Sequence, residues 1–161
     1  MVKKTMTSIS EGTEKGKSLQ VVRVEMVKER AVNFATNKIS NPRDAALLLA
    51  DFLAGADREH LVVLCLDTKN KVNAINVVGV GTLNSALVHR REVFKPAILS
   101  NAAAILLGHN HPSGDPTPSK EDMEIAKRLD EAGKILGIDL LDSIVVGDDG
   151  IFVSMKERGL L

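Results

Sequence analysis

The segment GHNHPSGDPTPSKED, residues 108–122, holds the side chains best suited to chemistry in this sequence. It contains two of the four histidines, His109 and His111, and it ends at Asp122. Residues two apart on a β-strand point to the same side, so a strand that ends here would direct both imidazoles to one point. Two neutral imidazoles and one carboxylate make a three-ligand zinc site whose fourth position is open to water. The spacing therefore predicts a site that activates water for hydrolysis.

A purely structural interpretation of the same residues also exists. Ser119 and Asp122 have the spacing of a helix capping box, and an acid is favourable near the positive end of a helix. A pair of histidines can also simply form hydrogen bonds in a turn. The combination of both features in one short segment favours the metal interpretation, and Asp122 can serve as cap and ligand together.

The elements that must position these residues follow from periodicity and from turn signals. The run EHLVVLCLD is apolar without alternation, which is typical of a strand buried on both faces. Strand pairs with intervening helices predict an α/β or mixed α+β fold, a sheet covered by helices. Strands are predicted at 19–27, 59–67, 72–81, 102–110, 138–147 and 151–154, and helices at 41–55, 91–101 and 119–136.

Composition limits the classes of function. The 161 residues carry 21 basic and 21 acidic side chains, with neither Trp nor Tyr, which argues against an extensive nucleic-acid surface. No apolar run approaches the ~20 residues of a membrane span. The single cysteine, Cys65, lies in an apolar string, so we expect a buried thiol in a reducing compartment, the cytoplasm. The polar residues 1–18 predict a mobile tail before one domain over 19–161.

The histidine segment resembles the metal-binding motif of the JAB/MPN (JAMM) superfamily, which reads His-x-His-Pro, six residues, Ser, two residues, Asp. The wider stretch GVGTLNSALVHRREVFKPAILSNAAAILLGHNHPSGDPTPS resembles the bacterial RadC branch of that superfamily. The resemblance extends from about residue 20 to the C-terminus. It implies a curved mixed β-sheet flanked by helices, similar to cytidine deaminase, and one zinc per chain. The motif positions correspond to His109, His111, Pro112, Ser119 and Asp122.

The resemblance also implies roles for residues outside the ligand set. In the superfamily a glutamate on an upstream strand is the general base, and Glu59 matches it best, because it begins an apolar strand directly after a helix. Glu92 is the alternative base. Ser119 would donate a hydrogen bond to the developing oxyanion or to the zinc-bound water. The implied activity is that of a zinc metallopeptidase or isopeptidase acting on a peptide or protein.

Two departures from the RadC pattern bear on function. Full-length RadC proteins carry an N-terminal helix-hairpin-helix domain, and the residues before 19 are not expected to fold as one. Arg90 replaces the proline that usually follows the histidine at His89, which is expected to be a groove or capping residue. The alternatives to a peptidase are a DNA-associated protein, such as a nuclease or mobile-element accessory, and a non-catalytic MPN binding module. We expect weak DNA binding at most, no membrane partner, and a dimer as one option for the oligomeric state.

Overall fold

The computed structural model describes residues 4–6, 18–81 and 88–161. The chain divides into two compact units, residues 1–31 and 32–161. In the first unit, β1 (Lys4–Met6) pairs antiparallel with β2 (Val22–Val24). Of the strand predicted at 19–27, the structure forms only the three residues Val22–Val24, and their side chains are exposed. The predicted tail and the domain limits stay predictions.

The second unit contains one mixed sheet of five strands, which confirms the predicted fold class. The strand order is β4-β3-β5-β6-β7, with β5 parallel to β6 and the other neighbours antiparallel. The bounds of the strands are β3 His60–Leu66, β4 Val72–Val80, β5 Ala104–Asn110, β6 Asp139–Val146 and β7 Phe152–Ser154. The helices are α1 Pro42–Phe52, α2 Arg90–Leu99 and α3 Lys120–Leu136, and a short 3-10 turn covers Asp148–Gly150.

Helices cover both faces of this sheet, so the central strands are buried on both sides. On one face, Leu49 of α1 belongs to a core with Leu64 and Ile144. On the other, α2 and α3 pack through residues such as Phe94 and Leu129. All of β3 after its first residue is buried, as the unbroken apolar run predicted.

The C-terminal end of β5 packs tightly against α1. A Cβ on Gly108 would collide with the Leu49 side chain, so only glycine allows this approach. Gly108 directly precedes the first histidine of the segment singled out above. Close packing of α1 thus fixes the end of the strand from which the histidines project.

Candidate metal centre

The histidine pair stands at the end of β5, between two paired strands. His109 lies opposite Leu61 of β3 and Val145 of β6, and it is only 2% exposed. The His111 N–H continues the contact with β6 by donating to the Val146 carbonyl, at 3.1 Å. Backbone pairing on both sides of His109, and on the β6 side of His111, therefore sets the direction of the two imidazoles.

The first turn of α3 supplies the carboxylate. Ser119 is the N-cap, and its Oγ accepts from the Asp122 N–H at 3.1 Å. Asp122 Oδ2 in turn accepts from the Ser119 N–H at 2.8 Å, which completes the predicted capping box. Asp122 is nevertheless only 6% exposed, which is unusual for an aspartate. It serves as a cap and also faces the histidines.

The three side chains converge as the spacing predicted. His109 Nε2 lies 3.1 Å from His111 Nε2 and 3.3 Å from Asp122 Oδ1, and His111 Nε2 lies 3.4 Å from Asp122 Oδ2. A tetrahedral ion with bonds of ~2.0–2.1 Å separates neighbouring ligand atoms by roughly 3.3 Å. The donor atoms of this group, all within 4.8 Å of one another, therefore fit a single metal ion.

A backbone carbonyl in the loop sets the chemical state of His111. Its Nδ1 lies 2.7 Å from the Asp115 carbonyl oxygen, which can only accept a hydrogen bond. Nδ1 is therefore the donor in this contact, and in the neutral ring this leaves the lone pair on Nε2, the atom that faces His109 and Asp122. Such an outer partner is typical of a metal-binding histidine.

The charge of Asp122 is maintained despite its burial. Burial by itself raises the pKa of this carboxyl group, but the hydrogen bond and charge of His109 oppose it. The hydrogen bonds from Ser119 act in the same direction, and together they bring the pKa of Asp122 well below its usual range. The site therefore presents an ionised carboxylate to a cation at neutral pH.

Glu59 lies immediately before β3 and is half-buried. The β3–β5 pairing ends at Leu61 and His109, and the same register, continued by two residues, would set Glu59 opposite His111. Its carbonyl oxygen accepts from the Gly81 N–H at 2.8 Å. Glu59 therefore lies at the same end of the sheet as the histidine pair. Its role as a base stays a prediction.

Glu92, the alternative base, lies in the first turn of α2 and is engaged locally. Its carboxylate is 2.8 Å from Lys95 Nζ and 3.7 Å from Arg91 Nε. The hydrogen bond from Lys95 lowers the pKa of Glu92. His89 occupies the N-cap position of α2 without a side-chain capping hydrogen bond. Part of the RadC-like stretch, residues 82–87, lies outside the described residues.

Asn110, between the two histidines, was missed by sequence reasoning. Its Oδ1 accepts from the His60 N–H at 2.9 Å, and its Nδ2 donates to the Arg58 carbonyl at 3.0 Å. The sequence feature that could have indicated it is a carboxamide at the end of an otherwise apolar strand, where strand pairing stops and backbone N–H and C=O groups need other partners. Its partners are about fifty residues away, so no local pattern names them.

A cleft of about 380 Å³ opens beside His111, one of the three candidate ligands. The end of α1 and the following loop form one wall, and the ends of β5 and β6 form the other. Its polar lining residues include Asp57, Asn110, His111 and Asp148. A bound molecule in this cleft would therefore lie next to a candidate ligand.

The fold and the site together define an α/β domain with a candidate metal group at the end of a central strand. A family model described as RadC-like JAB domain matches residues 39–160. The chain belongs to this family, which confirms the resemblance seen in its motif. The JAB superfamily includes metalloproteases.

Curated relatives agree with this membership. A UPF0758 protein of Clostridium acetobutylicum is 54% identical over 129 residues, covering 80% of this chain and 56% of the relative. A UPF0758 protein of Moorella thermoacetica is 55% identical over 131 residues, covering 81% and 57%. A UPF0758 protein of Clostridium kluyveri is 44% identical over 153 residues, covering 93% and 67%. The chain thus spans little more than half the length of the first two relatives, and their names state no activity.

In the part of the chain that the structure describes, every helix is too short or too polar to cross a membrane bilayer.

Proposed function

We propose that this chain is a zinc-dependent hydrolase of the JAMM metallopeptidase or isopeptidase type, with one zinc per chain. The observation that supports this proposal is the convergence of His109, His111 and Asp122 at separations of 3.1–3.4 Å. Two histidines and one carboxylate, with no fourth protein ligand in the described group, are the donor set of catalytic rather than structural zinc.

The chemistry divides between the metal and the protein. Zinc, when bound, supplies a Lewis acid that polarises a carbonyl and acidifies water. Glu59 accepts the proton of the attacking water and later returns it to the leaving amine. The Ser119 hydroxyl donates to the negative charge that develops on the carbonyl oxygen, because accepting from the Asp122 N–H leaves its O–H free to donate.

We favour a peptide or protein substrate over a nucleic acid. Neither Lys nor Arg is among the described residues that line the cleft, whereas Asp57 and Asp148 are. Asp57 is paired with Arg58, at 2.8 Å, on the exposed surface. Arg58 neutralises Asp57, so Asp148 is the acidic group that a phosphate backbone would meet in this cleft next to His111, and phosphate contacts dominate nucleic-acid affinity.

We place this activity in the cytoplasm. Cys65 is free and buried, and burial raises the pKa of its thiol, which keeps it protonated and unreactive. A chain whose single cysteine is a core residue depends on no disulfide, which suits a reducing compartment.

Metal analysis and cleavage assays together test the proposal. Purified wild-type protein should hold about one zinc per chain and cleave at least one member of a library of peptides and isopeptide-linked peptides. Glu59→Gln should keep the zinc but lose activity by ~10² or more, the scale of a lost general base. Glu92→Gln is the matched control and should keep both.

Different results identify different errors. Equal zinc in wild type and in the double variant His109→Ala with His111→Ala would contradict the metal site. Loss of zinc in Glu59→Gln would make Glu59 a ligand, and full activity there with a loss in Glu92→Gln would transfer the base role to Glu92. Cleavage of oligonucleotides but of no peptide would favour the nuclease alternative. Zinc binding without any hydrolysis would favour a binding module.

A further inference from the structure

We propose that Asn110 is a positioning residue that holds Glu59 in place opposite the histidine pair. The inference rests on the proposed function, since it concerns the residue assigned there as the base. It assigns a role to the middle position of the His-Asn-His sequence, which contributes no ligand atom to the metal group.

The ordinary strand pairing stops before it reaches Glu59. The ladder between β3 and β5 ends at Leu61 and His109. Continued in register, it would pair His60 with Asn110 and Glu59 with His111, but the structure has no such strand pairing. Backbone pairing with β5 therefore does not by itself fix Glu59.

The Asn110 side chain replaces the missing pairing. It accepts from the His60 N–H at 2.9 Å and donates to the Arg58 carbonyl at 3.0 Å, so it contacts the residues on both sides of Glu59. On the opposite edge, the Gly81 N–H donates to the Glu59 carbonyl at 2.8 Å. Three hydrogen bonds thus hold three consecutive residues from two directions, and one side chain supplies two of them.

The alternating direction of side chains along β5 explains how one strand end both presents the histidines and binds the segment at 58–60. His109 and His111 point to one side, and Asn110, between them, points to the other. The same three residues therefore present two imidazoles to the metal group and a carboxamide to the segment at 58–60. The distance between base and metal then depends on one short strand rather than on a loop, which is how a rigid site is built.

Only a carboxamide satisfies both partners. The His60 N–H needs an acceptor, and the Arg58 carbonyl needs a donor. Asn110→Asp keeps the acceptor but sets a second oxygen against the Arg58 carbonyl, and Asn110→Ala removes both groups. The two variants therefore separate the two hydrogen bonds.

The experiment compares wild type, Asn110→Ala, Asn110→Asp and a matched control, Asn73→Ala. Asn73 also ties its strand to a distant backbone carbonyl, that of Ser100 at 3.2 Å, but at the opposite end of the sheet. The first readout is amide hydrogen exchange at His60 in the zinc-loaded protein. We expect exchange to be at least about tenfold faster in Asn110→Ala, because an amide N–H that loses its hydrogen-bond acceptor is exposed to solvent more often by local opening. Asn73→Ala should match wild type.

The second readout concerns the metal and the chemistry. Zinc content should stay near one per chain in Asn110→Ala, because no ligand is removed. The kcat for the peptide found in the library should fall by about ten- to a hundredfold with little change in KM, the effect of a misplaced catalytic group. The double variant Asn110→Ala with Glu59→Gln should lose no more activity than Glu59→Gln alone, because both changes act through the same residue.

A third readout needs no substrate. The visible absorption of the Co²⁺-loaded protein reports the groups around the metal. Glu59→Gln and Asn110→Ala should change these bands in the same direction, and Asn73→Ala should leave them unchanged.

The possible failures can be told apart. Unchanged exchange at His60 in Asn110→Ala would overturn the positioning role even if the enzyme is active. Loss of zinc in that variant would also overturn it, because Asn110 would then support the ligands instead. A wild type that binds zinc and cleaves nothing would end the proposed function, and the exchange and Co²⁺ results would then show whether Asn110 holds Glu59 near the metal.

Discussion

The first turns of α1 and α3 carry the same arrangement of a polar cap followed three residues later by an aspartate. In α1, Asn41 Oδ1 accepts from the Asp44 N–H at 3.0 Å, and Asp44 Oδ2 accepts from the Ser40 N–H at 2.8 Å. In α3, Ser119 and Asp122 bond to each other in both directions, at 3.1 and 2.8 Å. The two helix starts are similar, but Asp44 accepts from the backbone of the residue before its cap, whereas Asp122 accepts from the backbone of the cap itself.

Their surroundings differ. Asp44 is half-buried, and its hydrogen bonds go to residues of its own turn. Asp122 is buried and faces His109 and His111, which come from a strand in the middle of the sheet. The comparison teaches that a capping aspartate becomes a candidate ligand only when another element brings further donors to it. The capping box supplies orientation and charge, and the strand end supplies the rest of the site.

The largest expected effect comes from making the start of α3 resemble the start of α1. In His109→Ala with His111→Ala, Asp122 keeps its cap and loses its neighbours. We expect zinc content to fall from about one per chain to near zero, because one carboxylate alone does not form a site. Elemental analysis after gel filtration measures this, and circular dichroism checks that the fold persists.

The next effect separates the two aspartates directly. Asp122→Asn should weaken zinc binding by more than about a hundredfold, since it removes the one charged ligand. Asp44→Asn, the matched control, should leave zinc affinity unchanged. Competition with a chromogenic chelator measures both affinities. Equal weakening in the two variants would mean that helix stability, rather than ligation, controls the metal.

A smaller effect is expected in the pH dependence of stability of the metal-free protein. The pKa of Asp122 is lower in the folded than in the unfolded chain, where it is near the ordinary 3.8. The unfolded chain therefore binds more protons at acidic pH. Asp122 makes its full contribution to the free energy of unfolding above the unfolded pKa, and this contribution declines as the pH falls toward the lower pKa of the folded state. Urea unfolding from pH 6 to pH 3 should show a steeper loss in wild type than in Asp122→Asn. Parallel curves would contradict the assigned cause.

The smallest effects concern the caps. Asn41→Ala and Ser119→Ala should each lower the free energy of unfolding by about 1 kcal/mol in the metal-free protein, the usual cost of a lost N-cap. Thermal or urea unfolding measures this. Zinc should stabilise Ser119→Ala less than Asn41→Ala, because only Ser119 orients a ligand. Equal stabilisation of the two by zinc would show that the cap does not orient Asp122.

Much of the candidate site could be predicted from local sequence. The spacing of His109 and His111 predicted a common direction, and the interval from Ser119 to Asp122 predicted a capping box, which the structure confirms. The apolar run of β3 predicted burial on both faces, also confirmed. These features depend on residues a few positions apart, and strand and helix periodicity relates such residues directly.

The prediction at 19–27 shows where such reasoning fails. The segment is β-branched and apolar, yet only Val22–Val24 form a strand, and Val22 and Val24 are 48% and 54% exposed. Strand propensity describes how well a side chain fits a half-buried sheet, and the pairing of Val22–Val24 leaves their side chains exposed. Burial against other elements decides how far such a segment forms a strand, and the segment itself does not encode it.

The sequence by itself determined the types and spacing of the candidate ligands, the helix cap and the buried strands, because each depends on contacts within one element or one turn. Only the tertiary structure decided that β3 runs antiparallel to β5, which pairs Leu61 with His109 and gives Asn110 its two backbone partners on either side of Glu59. The physical reason is that pairing between strands about forty residues apart depends on the packing of the whole sheet between its helices. Local sequence patterns predict which side chains of a strand point to the same side, and the packing of the whole core decides which residues those side chains contact.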